Sequence, residues 1–120
     1  MHIRARRVFE PPDSHDGFRV LVDRTWPDGL EKDGGKIDLW IRDVAPSVEL
    51  DAWFDHDRRR WPEFQFRYRH ELAGRSADLD ALLLAAGDGD LTLVYAARDD
   101  WHNHAVVLKA LLEARLRARG

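Results

Sequence analysis

Cysteine is absent from this 120-residue chain, and with it go disulfides, thiolate nucleophiles and sulfur metal sites. No apolar run approaches the ~20 residues of a membrane-spanning helix, and no secretory signal pattern opens the sequence. A cytoplasmic protein with no membrane partner is therefore the expectation. A basic surplus is missing too: 19 Lys+Arg stand against 22 Asp+Glu, for a formal net charge of −3. The cations are nearly all arginine and are interleaved with acids. No stripe forms that would track a nucleic-acid backbone, and a nucleic-acid partner is not expected. Also wanting are a glycine-rich phosphate loop, a dinucleotide fingerprint, an H-E-x-x-H helix and a G-x-S-x-G elbow. The common mechanisms of nucleotide hydrolases, zinc proteases and serine hydrolases thus find no support, and the cofactor is left unknown.

What the chain has is enough length and apolar content for one modest core, and residues 1–120 read as a single domain. Ile3 to Phe9 alternates between apolar residues and arginine as a strand would. Residues 10–17 are dense in turn formers and read as a loop. Phe18 to Asp23 is a second strand, followed by a Pro27-Asp28-Gly29 turn and a loop at Asp33-Gly34-Gly35. Ile37 to Val44 carries a weak third strand. Ser47 caps a short helix in which Leu50, Trp53 and Phe54 face inward. A second helix runs to Ala73, its start placed either at Pro62 or after a separate turn, and Gly74 closes it. Ser76 is expected to cap a third helix, Ala77 to Ala86. The pattern predicts an α/β fold, a three-layer sandwich around a small, mostly parallel sheet.

The most informative stretch is Leu91 to Leu116. Its apolar opening, Leu91 to Ala97, predicts a buried strand. From His102 onward the period becomes helical, with His104, Ala105, Leu108, Leu111, Leu112 and Leu116 on one face. Between them lie Arg98, Asp99, Asp100, Trp101, His102 and Asn103. In parallel α/β sheets ligands bind beyond the carboxyl ends of strands, where helix N-termini offer free N–H groups. The second strand ends in the same chemistry, Asp23 and Arg24 followed by Trp26. These observations predict a pocket in which Asp23, Arg24, Trp26, Arg98 and Asn103 bind a small anionic or nucleotide-like molecule. Arginine supplies the planar fork that matches phosphate or carboxylate. His102, oriented by Asp99, is the group for any proton transfer, since an unperturbed imidazole titrates near ~6.5. Whether the ligand is turned over is left open.

Two other readings compete with this one. His56, His102 or His104 with Asp99 could ligate a metal in a hydrolase, but two histidines two apart on a helix diverge by ~200° and cannot share one ion, so no metal site is assigned. A non-catalytic module docking a protein partner through its charged faces is the other. The oligomeric state is not legible.

Longer blocks of sequence carry a resemblance. R-V-F-E-P-P near the start and G-F-R-V-L-V-D-R-T-W-P-D-G from Gly17 are followed by D-L-W-I-R-D-V-A-P-S from Asp38 and W-F-D-H-D from Trp53. F-Q-F-R-Y-R-H-E-L from Phe64 and L-V-Y-A-A-R-D-D-W-H-N-H-A-V-V-L from Leu93 complete the set. In these blocks, covering nearly the whole chain, the protein resembles the YeaO-like family of bacterial proteins, a class defined by a domain of unknown function. The resemblance implies no reaction. The family's W-P-R-G is Trp26-Pro27-Asp28-Gly29 here, so an anion contact made by that arginine in relatives would be lost or rebuilt. Distant members carry Cys-His-Arg where this chain has His102-Asn103-His104, which implies a shared site at that helix start with altered chemistry.

Overall fold

The strand Leu91–Tyr95 (β4) is buried at all five positions. The computed structural model, which describes residues 1–32 and 34–119, shows why. β4 lies inside a four-stranded sheet of order β1-β4-β2-β3, where β1 is Ile3–Arg7, β2 is Phe18–Leu21 and β3 is Leu39–Trp40. Every pairing is parallel: Ile3 and Phe18 flank Leu91 on its two sides, and Val20 faces Leu39. A strand covered on both faces reads as a continuous apolar run, as L-T-L-V-Y does.

Alternate residues feed two cores. Ile3, Val20, Val22, Leu91, Leu93 and Tyr95 point toward the helices, and all four contribute to that larger core. They are α1 (Val48–Phe54), α2 (Trp61–Ala73), α3 (Ser76–Ala86) and α4 (His104–Arg119). Val8, Leu21 and Val94 point the other way and meet Trp26, Leu30, Ile37 and Trp40. The expected α/β class with a parallel sheet is thus the fold found. Its third layer is a loop, with one 3-10 turn at Gly34–Lys36, and not a helix. The expected loop at Asp33-Gly34-Gly35 is described from Gly34 onward; Asp33 lies outside the described residues.

Local chemistry accounts for the boundaries. Gly17 has a φ of 66°, and a Cβ there would collide with the backbone oxygen of Asp90, which accepts the Phe18 N–H at 2.9 Å. Only glycine lets β2 enter beside β4 at this point. The first strand ends at Arg7, the second at Leu21, and the third shrinks to two residues. Ser47 caps α1 as expected, its Oγ accepting from Leu50 N at 3.1 Å. A 3-10 turn, Arg58–Arg60, precedes α2. Ser76 is not a cap; it is the first residue of α3, and its Oγ accepts from Arg115 at 2.6 Å.

Candidate functional site

Strands β2 and β4 run parallel and adjacent, so their carboxyl ends open on the same edge of the sheet. Asp23 follows β2 and joins the two ends: its Oδ2 accepts from Ala96 N at 3.0 Å, while its backbone oxygen accepts from Trp40 Nε1 at 2.7 Å. Beyond them lies a cleft of about 870 Å³. Small side chains make most of its apolar wall, with Ala45, Ala52, Ala96 and Ala97 joined by Pro46 and Val48. The polar lining is Asp23, Arg24, Thr25, Asp51, His56, Arg98, Asp99 and His104. Arg24 is partly committed, donating through Nε and Nη2 to the carbonyls of Ala45 and Pro46 at 3.0–3.2 Å. That strap holds the approach to α1 against the end of β2. Arg98 is exposed and forms no ion pair among the described residues.

Asp99 organises the rim. Its Oδ1 accepts from Trp101 N at 2.9 Å and His102 N at 3.0 Å, and its Oδ2 accepts from Arg58 Nε at 2.9 Å. The imidazole Nδ1 of His102 lies 3.1 Å from both oxygens. The Trp101 N–H first, then those of His102 and Arg58, hold this carboxyl well below the usual carboxylate range against the opposing effect of burial. One side chain thus ties the β4–α4 turn to the turn before α2. The His102 ring stands edge-on to Trp61, with centroids 5.4 Å apart. Tyr95 pins the same turn from the end of β4 by donating to Asp100 at 3.1 Å; burial, then this acceptor, pushes its hydroxyl up to about 12.

Of the residues expected to share a pocket, Asp23, Arg24, Arg98 and Asp99 line the cleft. His102 sits behind Asp99 and does not line it. Asn103 is buried and serves α4: its Oδ1 accepts from Val106 N at 3.1 Å, and its Nδ2 donates to Asp99 O at 2.7 Å. Trp26 lies on the opposite face of the sheet, edge-on to Trp40 at 5.5 Å, with Nε1 donating to Leu30 O at 2.9 Å. Asp28 is exposed in the turn beside it and does not line the cleft.

His104, grouped from its helical period with the core leucines, lines the cleft instead. Its Nε2 lies 3.0 Å from Asp23 Oδ1 and 3.1 Å from Val22 O, and its ring meets Tyr68 edge-on at 6.3 Å. Asp51, which the sequence did not single out, and His56 also line the cleft. His56, a candidate metal ligand by sequence, follows Asp55, and both have positive φ (54° and 47°), which turns the end of α1 over the cleft. No three His, Cys, Asp or Glu side chains among the described residues converge as metal ligands do. Nor is any helix among them long and apolar enough to cross a membrane.

Fold and site together define a parallel α/β domain with a ligand-sized cleft where two adjacent strands end. Residues 2–120 match the family model described as the inactive DUF488-N3 subclade, and the chain belongs to that family. It is 37% identical over 108 residues to the uncharacterized protein YeaO of Escherichia coli, covering 90% of this chain and 94% of that protein. It is 45% identical over 113 residues to an uncharacterized protein of Mycobacterium tuberculosis, covering 94% and 95% of the two chains. A protein of Mycobacterium bovis matches to the same extent. The YeaO-like resemblance of the sequence is therefore borne out. No solved structure matches.

Proposed function

We propose that this protein binds a small anionic, nucleotide-like molecule in the cleft at the ends of β2 and β4 and does not turn it over. The observation that carries the reading is the cleft itself. At about 870 Å³ it has the size of a small-molecule site, with small apolar walls suited to a flat ring system and, on its lining, the cation Arg98, which forms no ion pair among the described residues. Binding without turnover is supported from two sides. The family is described as inactive. The one acid that touches His102, Asp99, is already saturated with donors and held ionised, which suits a brace better than a proton carrier.

The test is a titration with adenosine 5′-monophosphate (AMP) and, separately, sulfate, followed by thermal shift. AMP is expected to stabilise the protein saturably and to be recovered unchanged. Arg98→Lys should weaken binding by about 3- to 10-fold, because an ammonium cannot reproduce the fork of a guanidinium. Equal stabilisation of wild type and variant would remove Arg98 from the site, and steady consumption of the nucleotide would overturn the non-catalytic reading.

A further inference from the structure

Asp23 and His104 are more closely matched than a chance contact in the cleft wall. Asp23 Oδ2 is occupied by Ala96 N, while Oδ1 is sealed from solvent and makes no well-aligned hydrogen bond. Facing that oxygen at 3.0 Å is His104 Nε2, which also lies 3.1 Å from the carbonyl oxygen of Val22. Both neighbours of Nε2 are acceptors, so Nε2 carries a hydrogen; a bare lone pair there would face two oxygens. With that hydrogen on Nε2, the neutral form of the ring has its free lone pair on Nδ1. Among the described residues Nδ1 has no partner, and it is not one of the sealed polar atoms. Because His104 lines the cleft, that lone pair is available to whatever fills it.

Resting on the binding reading above, we infer that the Asp23–His104 pair makes the cleft selective for anionic ligands that also carry an N–H or O–H donor. The carboxylate fixes the tautomer, the backbone carbonyl fixes the ring plane, and Nδ1 accepts from the ligand. A nucleotide meets the requirement through its base edge or sugar hydroxyls; sulfate, which has no donor, does not. His104 is thus a specificity residue and Asp23 the group that positions it. An ionised carboxylate that sets an imidazole tautomer is lost on conversion to the amide, which presents an N–H where an oxygen stood.

The experiment compares wild type with the isosteric variant Asp23→Asn, using AMP and sulfate as probes and 15N NMR of the imidazole nitrogens. In wild type, Nδ1 of His104 should be unprotonated and should shift on addition of AMP but not of sulfate. In Asp23→Asn, the amide oxygen keeps the bond to Ala96 N and its NH2 turns to Nε2, moving the ring hydrogen to Nδ1. AMP should then bind about tenfold more weakly, the scale of one hydrogen bond replaced by two opposed donors, with sulfate binding unreduced. A hydrogen on Nδ1 in the wild-type protein would overturn the inference without any variant. So would an equal loss, or no loss, for both probes in Asp23→Asn; the binding reading would survive either result. If wild type binds neither probe, the binding reading fails and this inference fails with it.

Discussion

At the scale of single residues, the rim of the cleft depends on one ionised side chain. Asp99 receives two backbone N–H groups, a guanidinium and an imidazole, and its carboxyl is held far below the ordinary range. A group whose folded-state pKa is depressed contributes stability that is full above its unfolded value, about 3.9, and is lost as pH falls toward the folded value. Asp99→Asn should therefore lower the melting temperature at neutral pH. The gap between variant and wild type should close progressively as pH drops below about 4. Melting curves across that range check it, and a gap that stayed constant would show that Asp99 acts through something other than its charge. The same turn marks where residue-level reading of the sequence ran out. Helical period was read from His102, but Asn103 caps the helix and α4 begins at His104. The two-residue difference puts His102 outside the helix, and His104, which shares the face of the core leucines by period, stands as its first residue and lines the cleft. Periodicity finds the face of a helix well and its first turn poorly, and the first turn is where these side chains sit.

At the scale of elements, α1 is held at its start by a contact from another helix. Ser47 Oγ accepts from Leu50 N and donates to Glu71 Oε2 at 2.5 Å, while Ser47 N donates to Glu71 Oε1 at 2.8 Å. Since α1 and the segment before it form one wall of the cleft, this cap reaches function through position. Ser47→Ala should cost about 1–2 kcal/mol in chemical unfolding, the upper range for a cap, because Glu71 loses its hydroxyl partner too. A loss of only a few tenths would mean that the cap is dispensable. The cap, the helices and the three longer strands were legible because each follows from spacing or from one residue type at one place. The layer on the far side of the sheet was not. Trp26, Leu30, Ile37 and Trp40 meet there from a chain with no period, joined by an indole-to-carbonyl bond and an edge-on pair of tryptophans. Trp26 was expected beside Asp23 because it is near in sequence; the turn after it carries the ring under the sheet instead.

At the scale of the molecule, the larger of the two cores joins the strands to all four helices, and β4 runs through its middle. Leu93 is fully buried at the centre of that strand, beside Ala5 in β1 and Val20 in β2. Leu93→Ala should cost about 2–5 kcal/mol, read as a lower denaturant midpoint with an unchanged slope. A smaller effect would mean that the core collapses around the gap. The class of fold, the parallel sheet and the family were all within reach of the sequence. The order of strands was not, because strand spacing along a chain does not specify which strand enters between which. That order has a consequence for how the protein comes into being. The strand that joins β1 to β2 is the last of the four in the chain, so a growing polypeptide carries two unpaired strand edges until β4 has been made. No hydrogen bond can link those edges until Leu91 to Tyr95 has emerged between them. The sheet therefore closes only after β4 is in place, and the cleft, built on the ends of β2 and β4, comes into existence with that same insertion.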